Sequence, residues 1–105
     1  MTPSIRFGRP RFSSRKLSAL LRRLLQGRVN AAYIFGSHAR GEADSMSDVD
    51  LIVVAQTGLP FTRRFEAFLD VIDALGSIDL VVYTPKEWKT HGSTAFGTQK
   101  LVQVV

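Results

Sequence analysis

Ala31-Ala32-Tyr33-Ile34-Phe35-Gly36-Ser37, ten further residues, and then Asp48-Val49-Asp50-Leu51-Ile52-Val53-Val54 is the stretch on which the reading of this chain turns. Its first five residues form a short apolar run closed by Gly36-Ser37, which predicts a buried strand. Residues 50–54 predict a second strand, apolar on both faces as expected where both sides of a sheet are covered. The polar segment 38–47 between them has room for one or two helical turns at its start.

Upstream, Ser13 or Ser14 is placed to cap a helix reaching about Gln26. Its Leu17, Leu20, Leu21, Leu24 and Leu25 follow the i, i+3, i+4, i+7, i+8 pattern of one buried face, and Gly27 ends it. Downstream, residues 61–75 predict a second amphipathic helix with Phe61, Phe65, Phe68, Leu69, Ile72 and Leu75 on one face. Gly76 stops that helix, and residues 78–83 predict a third strand. Pro85 opens a short helical turn through Glu87-Trp88-Lys89. Residues 91–98, rich in Gly, Ser and Thr, read as a loop, and 101–105 as a short strand or a helix end. The order helix, strand, strand, helix, strand is that of an α/β domain over residues 13–105. Residues 1–12, with Pro3, Gly8 and Pro10, read as a basic flexible arm.

The 105 residues, 45% of them hydrophobic, suffice for one core and are too few for two ordinary domains. Without cysteine there is no disulfide scaffold, Cys-based zinc site or thiol nucleophile. No apolar run approaches the roughly 20 residues of a membrane span, and the start lacks the apolar stretch of a signal peptide. A soluble, cytoplasmic protein with no membrane partner is expected. The net charge of +5 is divided unevenly: residues 1–41 carry +9 and no acid, residues 42–105 carry −4. Such a basic stretch suits a polyanion or an acidic protein face, and equally an ordinary solvated surface.

Three aspartates, Asp48, Asp50 and Asp79, sit inside or at the edge of apolar strands, where carboxylates are costly. Asp48 and Asp50 are two apart, so in a strand they share a face. If Asp79 faces the same way from a neighbouring strand, three carboxylates converge, and one or two Mg²⁺ ions relieve their repulsion. For the pair alone, a turn capped by Asp48 is an alternative. Gly36 after a buried strand permits close approach of a ligand to the backbone, Ser37 offers a hydroxyl, and N–H groups at a helix start make an anion site. Arg40, one turn on, is within reach of a phosphate. A phosphate cradle facing a metal site calls for phosphoryl or nucleotidyl chemistry.

The string Gly36-Ser37-His38-Ala39-Arg40-Gly41-Glu42-Ala43, followed by Ser47-Asp48-Val49-Asp50-Leu51, resembles the signature of the nucleotidyltransferase superfamily that includes DNA polymerase β, and within it the minimal nucleotidyltransferase (MNT) branch. The resemblance runs over residues 31–88, with Ile78-Asp79-Leu80-Val81-Val82-Tyr83 matching the strand that bears the family's third carboxylate. It implies a small core with a mixed three- to four-stranded sheet and helices against it. Gly36 and Ser37 would then hold a nucleoside triphosphate. Asp48 and Asp50 would bind both of two Mg²⁺ ions and Asp79 one of them, with Asp79 also helping to deprotonate the attacking hydroxyl. Similar proteins are often partnered with a HEPN-domain toxin, the MNT member resembling an antitoxin that transfers AMP from ATP to a tyrosine of the toxin. The acceptor surface is then expected from another subunit.

Two other functions compete: an antitoxin that neutralises its partner by covering it, and nucleotidyl transfer to a nucleic acid end, for which the basic segment is the only support. Of the remaining residues, His38 reads as an exposed loop histidine, with a contact to substrate as the other option, and His91 lacks a partner at metal-site spacing. Trp88 reads as a plug over the sheet, with base stacking as the other option. Arg63 and Arg64 sit unfavourably at a helix start and read as solvated surface or a contact with an acidic partner.

Overall fold

In the computed structural model, which describes residues 8–105, four helical segments and four strands follow in the order α1 (Ser14–Leu25), β1 (Ala31–Phe35), α2 (Gly36–Arg40), β2 (Val49–Val54), α3 (Leu69–Leu75), β3 (Ile78–Tyr83), α4 (Pro85–Phe96) and β4 (Val102–Gln103). A 3₁₀ segment, Phe61–Phe68, leads directly into α3. The strands form one mixed sheet in the order β3-β2-β1-β4: β1 runs antiparallel to β2 and β4, and β2 runs parallel to β3. The parallel pair needs a crossover, which the 3₁₀ segment and α3 provide.

The Ser13 hydroxyl caps α1 by accepting from Lys16 N at 3.2 Å. Leu17, Leu21 and Leu25 lie on its inner face and are essentially inaccessible. They share one core with Ala32 and Ile34 of β1, Val49, Leu51 and Val53 of β2, Val82 of β3, and Phe68, Val71 and Leu75 of the crossover. By strand alternation the other sheet face carries Tyr33 and Phe35, Asp50 and Ile52, and Asp79 and Tyr83, which the register places beside one another. α4 covers part of that face, Trp88 stacking on Tyr33 with ring centroids 5.2 Å apart. Trp88 is thus the plug over the sheet that its sequence position suggests.

Two expectations need correction. The crossover is not a single α-helix burying Phe61, Phe65, Leu69 and Ile72. Its buried positions are Arg64, Phe68, Val71 and Leu75, while Phe61, Phe65 and Leu69 are exposed. The face is turned by about one residue because the Arg64 guanidinium is drawn inward. It donates to Leu59 O (3.0 Å) and Val82 O (3.1 Å), and its two Nη atoms pair with the Glu87 carboxylate at 2.6 and 3.3 Å. A charged side chain met by so many acceptors can be buried. Arg64 is therefore not solvated surface; of the two arginines only Arg63 is, paired with Glu66 three residues on.

The second correction concerns residues 91–98, which are mostly helix. α4 continues to Phe96, started by a capping box in which Thr84 and Glu87 exchange side-chain-to-backbone hydrogen bonds, with Pro85 in the first turn. Gly92 lies inside this helix because any Cβ there would come within 2.8 Å of the Trp88 ring. Of the basic arm expected over 1–12, the first seven residues lie outside the described ones. Arg11 donates to Leu75 O at 3.0 Å, and Phe12 packs on the core.

Candidate active site

The site forms where β1 ends and β2 and β3 begin. β1 hands the chain to α2 at Gly36, whose φ of +71° is a left-handed conformation that favours glycine. A second constraint acts on the same atom: a Cβ at Gly36 would run into Asp50 Oδ2 and come within 2.9 Å of Asp50 Cγ. The strand-ending glycine is therefore packed against one of the acidic side chains. Ser37 follows in the first turn of α2, where no side chain caps the free backbone N–H groups. Arg40 ends the helix and pairs with Glu42 at 3.1 Å, both side chains about half exposed.

The parallel register brings the aspartates together. Asp50 lies beside Asp79, and Val49 beside Ile78, which sets Asp48 alongside Ser77. Asp50 is half-buried, whereas Asp48 and Asp79 are exposed. Burial raises the Asp50 carboxyl above its ordinary pKa, and the charge of Asp79, a hydrogen bond to Asp79 and the charge of Asp48 add to this. The Arg40 charge opposes them, so Arg40 acts on the same carboxylate without touching it. Asp48 accepts a short hydrogen bond from the Ser77 hydroxyl.

Sequence reading missed two supporting residues. Ser77 holds Asp48, and its signal is a shared pattern: Ser77-Ile78-Asp79-Leu80 lies in register with Asp48-Val49-Asp50-Leu51. His38 is half-buried, with Nδ1 3.1 Å from Asp48 O. Burial holds its pKa below the usual histidine value, the bond to the Asp48 carbonyl pulling the other way and the Arg11 charge lowering it further. Nδ1–H is the tautomer that can donate to a carbonyl. His38 thereby ties the Gly36-Ser37 turn to the Asp48–Asp50 segment across ten intervening positions of chain.

The donors are carboxylate oxygens, the set a hard divalent cation prefers. Three of them gather at one sheet end, with Gly36 packed against the Asp50 carboxylate. Among the described residues no three acidic or histidine side chains stand close enough together in this arrangement to hold a metal ion. Asp50 faces Asp79 across the two strands, and Asp48 is turned to Ser77. Carboxylates with no counter-ion among them are expected to settle in this way.

A family model described as nucleotidyltransferase domain matches residues 14–101. The chain belongs to the nucleotidyltransferase-domain family. Among solved structures, this nucleotidyltransferase domain is similar to a toxin–antitoxin complex crystallised with AMP-PNP, at 28% identity over 90% of this chain and 73% of that one, with a TM-score of 0.57. Two others share the fold. One is a candidate nucleotidyltransferase from Sulfolobus solfataricus (21% identity, 87% of this chain and 81% of that one, TM-score 0.60). The other is a mutant MntA–HpeT toxin–antitoxin complex (23% identity, 90% and 73%, TM-score 0.54). No curated protein matches the sequence significantly. Within the nucleotidyltransferase domain, no helix among the described residues is long and apolar enough to cross a membrane.

Proposed function

We propose that this nucleotidyltransferase domain moves AMP from ATP to a hydroxyl of a partner protein, a tyrosine of a HEPN-type toxin, and so acts as an antitoxin. The observation that carries this reading is the pairing of Asp50 with Asp79 across adjacent strands, with Gly36 packed on the Asp50 carboxylate. Asp48, Asp50 and Asp79 would hold two Mg²⁺ ions. When bound, these ions supply positive charge against the negative charge that builds on the α-phosphate and the leaving pyrophosphate.

Gly36 and Ser37 hold the triphosphate through backbone N–H groups and the Ser37 hydroxyl, and Arg40 adds a positive charge at the same end. Asp79, on the outermost strand and exposed, takes the proton of the attacking hydroxyl. The acceptor oxygen bonds to the α-phosphorus. The bond from that phosphorus to the bridging oxygen breaks, and pyrophosphate leaves with the electron pair. His38 and Ser77 are positioning residues, fixing the turn and Asp48 relative to each other.

A second reading, an antitoxin that acts by covering its toxin, is favoured by the exposed apolar side chains Phe61, Phe65 and Leu69 on the crossover. Incubating the protein with labelled ATP, Mg²⁺ and the product of the adjacent gene separates the two. Label on a tyrosine of that product supports transfer. A tight complex that stays unlabelled leaves only the covering role.

A further inference from the structure

The sheet face that carries Asp50 and Asp79 is aromatic from Phe35, which pairs with Asp50, to Tyr83 at the far end of β3. Tyr33, Phe35, Tyr83, Trp88 and Phe96 all lie half-buried there, although Ile52 beneath them is fully covered. Phe96 stands at the centre, 5.2 Å from Phe35, 6.1 Å from Trp88 and 6.3 Å from Tyr83 between ring centroids. Rings that served only to seal the sheet would be expected to close over it fully. Instead an open hollow of about 520 Å³ lies against two of them, Trp88 and Phe96, with Lys89, Ser93, Gln99 and Leu101 also in its lining. Its volume is in the range of small-molecule sites, and its walls combine aromatic surface with a few polar groups, as such sites do. Gly92 keeps the Trp88 ring flat on the helix, because a side chain there would push the ring away.

The hollow is one ring away from the phosphate-binding turn. Phe96 packs edge-on to Phe35, and Phe35 both precedes Gly36 and pairs with Asp50 in the β1–β2 register. Phe35 thus links the Gly36-Ser37 turn to the Phe96 wall of the hollow through a single ring contact. Leu101, immediately before β4, places the hollow on the β1–β4 side, whereas Asp79 is on β3 at the opposite edge. An acceptor whose proton goes to Asp79 approaches from that opposite edge, which leaves the hollow to the donor.

We propose that the nucleobase of the donor triphosphate stacks on Phe96 in this hollow, making the C-terminal half of α4 the base-binding wall. This inference rests on the nucleotidyl-transfer reading above. Stacking of a base on an aromatic side chain contributes enough that its removal weakens binding by roughly 5- to 100-fold.

Trp88, the only tryptophan, lines the hollow and reports on its occupancy. The test titrates ATP and inorganic tripolyphosphate, each with Mg²⁺, into wild type, Phe96→Ala, Phe96→Leu and Phe96→Tyr, reading Trp88 fluorescence and calorimetric Kd. The expected result is that ATP, but not tripolyphosphate, changes the Trp88 emission. Phe96→Ala and Phe96→Leu should lose ATP affinity by roughly 5- to 100-fold while holding tripolyphosphate as wild type does, and Phe96→Tyr should recover ATP binding. Unchanged ATP affinity in both ring-deleted variants overturns the proposal. So does an equal loss for ATP and tripolyphosphate, which marks a structural effect, or a rise confined to the KM for the protein acceptor. Wild-type protein that binds neither ligand overturns the nucleotidyl-transfer reading itself.

Discussion

Strands β2 and β3 carry a charge cluster at each end, and the two are built in opposite ways. At the end where both strands start, Asp48, Asp50 and Asp79 gather with no cation bonded to them among the described residues, and the Asp50 pKa is raised. At the other end the Arg64 guanidinium meets Val82 O, Leu59 O and the Glu87 carboxylate. That pairing, with help from the Thr84 backbone, lowers the Glu87 pKa to about 2. Two carboxylates in one small fold are thus shifted in opposite directions. Like charges crowded in this way repel, and a bound cation would relieve them. Where opposite charges are fully bonded, the cluster holds the crossover against the start of α4.

The largest effect should come from the crowded end. Asp50→Asn removes one of the paired carboxylates and is expected to cut transfer by at least about 10³-fold, with the far-ultraviolet circular dichroism unchanged. Retained transfer would sink the assignment. At the bonded end the loss should be of stability. Arg64→Ala strands Glu87 and leaves Val82 O and Leu59 O without their donor, costing about 3 kcal/mol and lowering Tm by on the order of 15 °C. Arg64→Lys should recover little, since an ammonium cannot serve three directions in one plane. If Arg64→Ala melts like wild type, the clasp is only decorative and the comparison fails.

Gly36→Ala tests the join between the turn and Asp50. The positive φ costs a non-glycine residue about 1 kcal/mol, and the new Cβ must also displace the Asp50 carboxylate. Activity should therefore fall far more than thermal stability does. A variant that loses both in proportion would reduce Gly36 to a turn residue.

Acid probes the clasp more gently. The Glu87 pKa is depressed from 4.5 to about 2, so its contribution to stability is present above the unfolded value and is lost as pH falls from about 4.5 towards 2. Urea midpoints for wild type and Glu87→Gln should differ at pH 6 and converge by pH 2. A constant gap across that range would mean that Glu87 acts through packing and not through charge.

How much of this was legible follows the same division. The crowded end could be read because its residues are out of character: aspartates in apolar strands and a glycine closing one are visible without coordinates. Its supports could not. Ser77 and His38 owe their roles to the β2–β3 register and to the fold of 38–47 back onto Asp48, both tertiary facts. The bonded end was misread for the complementary reason. Apolar periodicity pointed inward from Phe61 and Phe65, but Glu87, fixed by a capping box on a different helix, pulled Arg64 in and turned the segment. A long-range ion pair leaves no mark on a local period, and α4 itself was hidden by the glycine and hydroxyl residues of 91–96, which weaken helix propensity without forbidding a helix.

The smallest predicted effect is the most direct test of whether the crowded end is strained. Asp79→Asn removes a negative charge facing Asp50 across the parallel strands and should stabilise the metal-free protein by about 0.5 kcal/mol, the usual scale for a like-charge pair relieved between neighbouring strands. The gain is small because Asp79 is exposed and water screens much of its repulsion of Asp50. The sign should reverse when Mg²⁺ is added. A cation that binds the folded wild type and not the variant raises the stability of wild type alone, by an amount that grows with the logarithm of its concentration. Denaturation curves with and without Mg²⁺ therefore decide the matter without any assay of transfer. A variant less stable than wild type in the absence of metal would show that Asp79 supports the fold, and the contrast between the two ends of β2 and β3 would then have to be abandoned.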